Sequence, residues 1–137
     1  MLGDAIAAAL PELRAEAAGM MTDTFHLLAL TETTDADGMS VHAWAPTGDP
    51  IPGRFPSRRS GGDAQNMRMV DVGGVERPII EGGLHLPFSA SPEPGQRYRC
   101  TAIGPRTHPS ALGRTVQVIE APVASNMTAW RLNVVEV

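Results

Sequence analysis

The sequence predicts a mainly β fold, a small antiparallel β-barrel or sandwich of six to seven strands with one N-terminal α-helix and long loops. Short segments rich in threonine and apolar residues recur at a spacing of roughly 10–15 residues, as in small barrels and sandwiches. The 137 residues include 14 glycines and 12 prolines, an excess typical of many turns and few long helices. Because hydrophobic residues make up 42% of a chain of this length, we expect one core and a single domain over residues 1–137.

A helix is predicted over about residues 4–18. Asp4 suits the N-cap, and the alanines and leucines that follow favour the helical state. Pro11 lacks the backbone donor that a helix interior needs, so we expect either a kink there or a short turn followed by a helix that begins at Pro11. An apolar stripe recurs at helical spacing and can lie on the sheet or on a neighbouring subunit: Ile6, Leu10, Leu13 and Ala17.

The β-barrel is expected to occupy about residues 20–137. The strand candidates share β-branched and apolar residues with few breakers: residues 22–30, 39–45, 75–88, 96–103, 114–121 and 128–137. Residues 31–38 are predicted to form a polar turn, and residues 51–56 a short edge strand. The three prolines within residues 46–52 exclude a central strand there. Phe25 and Trp130 are expected in the core, since large aromatic side chains dominate burial energy.

Residues 57–74 are predicted to be a long flexible loop that contains two glycine pairs, and within it Met67, Met69 and Val72 could belong to a strand or a short helix. A polar segment of this length is too long for an ordinary connection in a small domain, and such loops commonly carry function. The arginines in and beside it form the chain's basic cluster: Arg54, Arg58, Arg59 and Arg68. Guanidinium groups pair with carboxylates and phosphates, so this cluster is a candidate interaction site, and a solvated loop is the alternative.

Charge and cysteine content restrict the class of protein. The chain carries 15 acidic and 11 basic residues, a net charge of −4, whereas general nucleic-acid binders are usually basic. Cys100 is the single cysteine, so no disulfide forms within the chain, and its place in an alternating strand predicts a buried thiol. No apolar run of membrane-spanning length occurs, and Asp4 stands where a signal peptide needs positive charge. We expect a protein made in a reducing cytoplasm, with no membrane partner.

Residues that carry chemistry do not combine into a recognisable set. The four histidines fall on different predicted elements and lack the spacing of zinc ligands. The segment Asp35–Gly38 begins like a calcium loop, but Pro46 stands where the closing glutamate is required. No nucleophile elbow or phosphate-binding glycine loop is present. We therefore predict that the chain is not an enzyme and has no catalytic residues, no cofactor and no metal site.

The order of motifs along almost the whole chain carries a resemblance. After the alanine-rich helix come Met20-Met21-Thr22-Asp23-Thr24, Arg54-Phe55, Leu84-His85-Leu86-Pro87, Pro94-Gly95, Leu112-Gly113-Arg114 and Ala129-Trp130-Arg131-Leu132. This order resembles the small head–tail connector proteins of actinobacterial siphophages, of the head-closure or stopper type. The first of these segments and the closing strand carry most of the resemblance.

The resemblance implies a virion neck protein, assembled in the host cytoplasm. Such a protein forms a homo-oligomeric ring, with six copies favoured over twelve, between the adaptor and portal proteins of the head and the tail terminator. Packaged DNA passes through its lumen, where the ring helps to retain or gate it. Ring contacts are heterologous, so we expect the helix to contact neighbours through Leu10, Leu13 and Arg14, and the loop at 57–74 to narrow the channel.

Two other functions stay open. One is a tail terminator or another tail-completion ring protein. The other, from a different class, is an OB-like nucleic-acid-binding module, which stacks bases on aromatic side chains in a positive groove. The aromatic content of 4% and the negative net charge disfavour that module.

Overall fold

The structure, a computed structural model, describes residues 2–56 and 68–137. In these residues the chain forms one α-helix, eight β-strands and one turn of 3-10 helix. Their bounds are α1 Leu2–Gly19, β1 Asp23–Thr34, β2 Ser40–Gly53, β3 Met69–Val72, β4 Val75–Pro78, β5 Ile80–Pro87, β6 Arg97–Ala102, β7 Thr115–Glu120, β8 Ala129–Glu136 and the 3-10 turn Pro109–Ala111. The predicted mainly β class, with an N-terminal helix and long loops, is confirmed.

Six strands form one antiparallel sheet in the order β2-β1-β6-β7-β8-β5, and β3 and β4 form a separate hairpin. Within the described residues, the two edges of the large sheet meet at a single bridge between Arg54, directly after β2, and His85 in β5. There the Arg54 amide donates to the His85 carbonyl at 3.1 Å, and the His85 amide to the Arg54 carbonyl at 3.0 Å. One bridge does not close a barrel, so the sheet is sandwich-like. We call this meeting point the seam.

Three strand boundaries differ from prediction. The candidate at 75–88 divides into β4 and β5 at Pro78 and Ile79, where the Ile79 amide bonds to the Arg68 carbonyl at 2.8 Å. The candidates at 39–45 and 51–56 merge into β2, whose prolines are tolerated because β2 is an edge strand. Within the predicted loop 57–74, residues 69–72 form β3, so the loop prediction is wrong there and the alternative of a strand near Met69 and Val72 is confirmed, while residues 57–67 lie outside the described residues.

The polar turn predicted at 31–38 is shorter than expected. Residues 31–34 continue β1, and the chain reverses only at residues 35–39. The Asp35 carboxylate holds this turn, since one of its oxygens accepts from the Asp37 amide at 2.9 Å and the Met39 amide at 2.8 Å. The hairpin therefore projects beyond the core, and all of residues 30–43 are exposed. We call residues 30–43 the β-arm.

The core lies between the inner faces of the curled sheet. Its fully buried side chains come from β1 and β5–β8, and the largest are Phe25, Leu84, Leu86, Leu132, Val118, Val134, Val135 and Cys100. The predictions for Phe25 and Cys100 are confirmed. Trp130 packs against this core from a half-buried position, and its indole N–H donates to the Ala90 carbonyl at 2.9 Å.

Helix α1 is continuous across Pro11, so the alternative in which the helix begins at Pro11 is wrong. Proline removes one backbone donor, and here the carbonyl four residues earlier belongs to the exposed residue Ala7, where water is available to it. Residues 3–9 are exposed throughout, and partial burial begins at Leu10. The N-terminal half of the helix thus projects from the sheet, as the β-arm does.

Candidate interaction surfaces

The β-arm is both acidic and apolar. Residues 27–53 contain four carboxylates and no arginine or lysine: Glu32, Asp35, Asp37 and Asp49. Three of the four lie on the β-arm itself. Beside them, Leu30 is 55% exposed and Met39 is 65% exposed. Exposed apolar side chains rimmed by polar ones are typical of a surface that binds another protein.

At the base of the β-arm, Trp44 contacts Arg97 on the outer face of the sheet. The Arg97 guanidinium lies 4.4 Å from the centre of the Trp44 ring. Arg97 Nε donates to Gln117 Oε1 at 3.0 Å on the neighbouring strand. Burial, followed by the nearby charge of Arg77, lowers the pKa of Arg97 from its usual value.

A second group of side chains, which includes two arginines, crosses the seam. Arg54 Nε donates to His85 Nδ1 at 3.2 Å, and Arg131 is the cross-strand partner of His85 on β8. Because Leu84 and Leu86 on either side of it point into the core, His85 lies on the outer face. We call Arg54, His85 and Arg131 the arginine row.

The histidine in this row is neutral at pH 7. Burial, and then the charges of Arg54 and Arg131, lower the pKa of His85 from 6.5 to about 4, against a raising contribution from the Gly82 backbone. Since Nδ1 accepts the hydrogen bond from Arg54, Nε2 carries the ring proton. The row therefore presents two guanidinium charges with a neutral imidazole between them.

A groove adjoins the arginine row. It has a volume of about 390 Å³ and is lined by Pro122, Ala124, Ser125, Asn126, Met127, Thr128, Ala129 and Arg131. Its one ionisable lining residue in the described chain is Arg131, which belongs to the row as well. Mostly small and apolar side chains around a single charge make a site for an amphipathic partner.

Helix α1 is fastened beside this groove by Arg14. Its Nε donates to the Met127 carbonyl at 3.2 Å, and its guanidinium lies 3.5 Å from the centre of the Phe88 ring. Of the other two predicted helix residues, Leu10 is half-buried and Leu13 is 43% exposed. The structure thus directs Arg14 into the subunit and leaves Leu13 available to a neighbour.

The structure describes two of the four arginines in the predicted basic cluster, Arg54 and Arg68. Arg58 and Arg59 lie outside the described residues. Arg68 pairs with Glu120 at 2.6 Å and Glu81 at 3.3 Å, and these contacts hold the start of the β3–β4 hairpin. The hydrogen bond to Glu120 raises the pKa of Arg68, and the same bond lowers the pKa of Glu120. Arg54 belongs to the seam, so within the described chain no hydrogen bond or ion pair joins it to Arg68.

Sequence reasoning missed Arg131 and the outer-face arginines Arg97 and Arg99. Each occupies an outward position of an alternating strand, which is the signal available in the sequence. Alternation does not show which strands are neighbours, so it could not place Arg131 beside Arg54.

The described residues contain neither a metal-binding cluster nor a membrane-spanning helix. No group of three or more histidine, cysteine, aspartate or glutamate side chains could hold a metal ion. In the same residues no helix is long and apolar enough to cross a membrane.

The comparison with known proteins gives one result. The model of one protein family, described as a family of unknown function (DUF6093), matches residues 13–135. No curated protein and no solved structure matches the chain. The family match covers β1–β7, all of β8 except Glu136, and residues 13–19 of α1.

Proposed function

This chain belongs to the family of unknown function DUF6093, and we propose that it is a structural neck protein of a phage virion. In this role it forms a ring that joins the head, through portal and adaptor proteins, to the tail, and it helps to retain the packaged DNA. The resemblance of its motif order to siphophage head–tail connectors supports the assignment to the neck.

One observation carries the proposal. Two elements, the β-arm and residues 3–9 of α1, project from a small sheet and are exposed along their length. A subunit of a closed ring needs two different surfaces that meet on its neighbours, and projecting elements supply such surfaces. They come from separate parts of the chain: residues 3–9 precede β1, and the β-arm consists of the end of β1, the turn and the start of β2.

The charge of the chain is compatible with a DNA channel. A net charge of −4 does not favour tight binding of a polyanion. Each phosphate that a protein neutralises adds affinity, and a lumen with many such contacts would slow the passage of DNA. A weakly acidic subunit therefore suits a passage through which DNA slides.

The proposal is tested in virus particles. Particles of the phage whose genome encodes this chain are purified and analysed by mass spectrometry. The chain should be present in them at a fixed low copy number. Deletion of its gene should yield filled heads that lose DNA and lack tails, and expression of the wild-type chain in trans should restore both properties. Particles that keep their DNA and tails without the chain would refute the proposal. Its position in a virion reconstruction separates a stopper from a tail terminator.

A second candidate function is nucleic-acid binding, which the contact between Arg97 and Trp44 favours. An aromatic ring beside a guanidinium group is one element of a single-strand binding surface. Single-stranded DNA should then bind with an affinity that falls steeply with salt, and Arg97→Ala should weaken it. The neck proposal expects weak binding and no loss of it in this variant.

A further inference from the structure

The acidic and basic surfaces of this subunit lie far apart. The β1–β2 pairing runs from Asp23 opposite Gly53, at the seam, to Thr34 opposite Ser40, at the tip of the β-arm. The 12 residues of β1 span roughly 35 Å at the rise of a β-strand. The carboxylates of the β-arm are at one end of this ladder, and Arg54 follows the other end directly.

Among the residues that the structure describes, neither surface is neutralised by ion pairs within the subunit. Within residues 2–56 and 68–137, the arginines that form ion pairs are Arg68 and Arg114. The Arg54 and Arg131 side chains therefore have no carboxylate partner there, and the carboxylates of the β-arm have no arginine partner. Since a paired strand cannot fold back over 35 Å, the β-arm does not reach the arginine row of its own subunit.

The two surfaces are complementary in more than charge. The tip of the β-arm presents Met39 beside Asp37. The groove presents Met127 and smaller apolar side chains beside Arg131. Burial of the apolar groups excludes water, and a guanidinium–carboxylate pair becomes stronger in such surroundings. Each surface thus supplies what the other lacks.

We infer that the β-arm of one copy docks in the groove and on the arginine row of a second copy of this chain. The contact joins two different patches, so it is heterologous, and a third copy can bind in the same way. Repetition of the contact closes a ring when the rotation between copies allows it. The inference rests on the proposed function only for this closure, because the docking itself follows from the two surfaces.

Charge reversal on each side tests the contact. The tip variant carries Glu32→Arg and Asp37→Arg, and it keeps Asp35, whose carboxylate holds the turn. The groove variant carries Arg131→Glu. Two control variants reverse exposed charges elsewhere, at Arg106→Glu and Glu93→Arg. Sedimentation equilibrium of the purified full-length chains, at low and high salt, measures self-association, and circular dichroism checks that each variant folds.

The wild-type chain should self-associate more weakly at high salt. The tip variant and the groove variant should each raise the dissociation constant by about tenfold or more, because attractive pairs become like-charge contacts. Both controls should match the wild type. A chain that carries all three substitutions should regain much of the lost affinity, since it pairs the reversed charges again, and a merely structural defect would not be repaired in this way.

Several results would overturn the inference. One is a wild-type chain that stays monomeric at every concentration, and another is a groove variant that loses affinity while the tip variant does not. Loss of duplex DNA binding in the groove variant, with self-association unchanged, would make the arginine row a phosphate-binding surface instead. Normal assembly of both variants would place the ring contact elsewhere and leave the neck function standing, because that function is judged separately in virus particles.

Discussion

Substitution of Gly53 by alanine should destabilise the fold at the seam. A methyl group at this position would lie 2.8 Å from Cδ2 of Phe25 and 3.0 Å from the His85 carbonyl oxygen. Phe25 has no exposed surface and cannot swing away, because its ring also packs edge-to-face on Phe55 with 5.0 Å between the ring centres. Overpacking of this kind costs about 1–3 kcal/mol of unfolding free energy.

The measurement is urea denaturation of the wild type and of Gly53→Ala, with the midpoint compared at an unchanged slope. Gly3→Ala is the matched control, since nothing lies within 4 Å of a methyl group there and alanine favours a helix. We expect the control to be neutral or more stable by up to about 1 kcal/mol. In a Phe25→Leu background, the smaller side chain leaves space for the methyl group, so the cost of Gly53→Ala should fall.

Equal midpoints for Gly53→Ala and the wild type would refute this reasoning. An equal cost in the two backgrounds would also refute it, because the close approach to the Phe25 ring would then not be the cause. A changed slope would point instead to an altered compactness of one of the two states.

Three other predictions concern α1, the arginine row and the core. Arg14→Ala should speed proteolysis within residues 2–20 and leave the unfolding midpoint of the sheet nearly unchanged. The reason is that the guanidinium contact with Phe88 holds only the helix. An unchanged cleavage rate would contradict this prediction. The folded-state pKa of His85 is about 4 and the unfolded value is near 6.5, so the unfolded chain binds the extra proton and stability falls as the pH drops from about 6.5 to 4. For a half-buried group screened by solvent, this loss of unfolding free energy is about 1–2 kcal/mol. In urea denaturation at several pH values, His85→Gln should show a smaller loss. The same pH dependence in the variant and the wild type would refute the lowered pKa of His85. Burial, followed by the charge of Asp23, raises the pKa of the Cys100 thiol. A thiol reagent at pH 7 should therefore label the native chain far more slowly than the unfolded chain. Similar labelling rates would contradict the buried position.

Local patterns were sufficient for many of the strands. Tyr98 and Cys100 alternate with Arg97 and Arg99, and this alternation predicted β6 within one residue of each of its ends. The pattern is clear because one face of the strand is buried and the other faces solvent. The same reasoning correctly predicted Cys100 as buried.

Local patterns failed where burial does not vary along the strand. Residues 31–34 are exposed on both faces of the β-arm, so they carry no apolar alternation, and their polar side chains were interpreted as a turn. The hairpin ladder stabilises these residues as a strand, and the pairing partner of each, such as Ser40 for Thr34, is visible only in the structure.

The candidate site shows the same division. Arg54 was predicted as an interaction residue from its nearness to other arginines in sequence, but the structure places it beside His85 and Arg131. Arg68, from the same cluster, is instead paired with Glu81 and Glu120. Contacts between distant segments depend on strand order, which no local pattern contains.

The sequence by itself determined the mainly β class, the helix at the N-terminus, the buried thiol of Cys100 and the negative charge of residues 27–53. These properties follow from composition and from alternation along a single strand. Only the tertiary structure decided the order of the strands, the seam between Arg54 and His85, the groove beside Arg131 and the exposure of the β-arm. The physical reason is that pairing and packing energies depend on which segments meet in space, and many partners are nearly equivalent until the whole sheet is assembled.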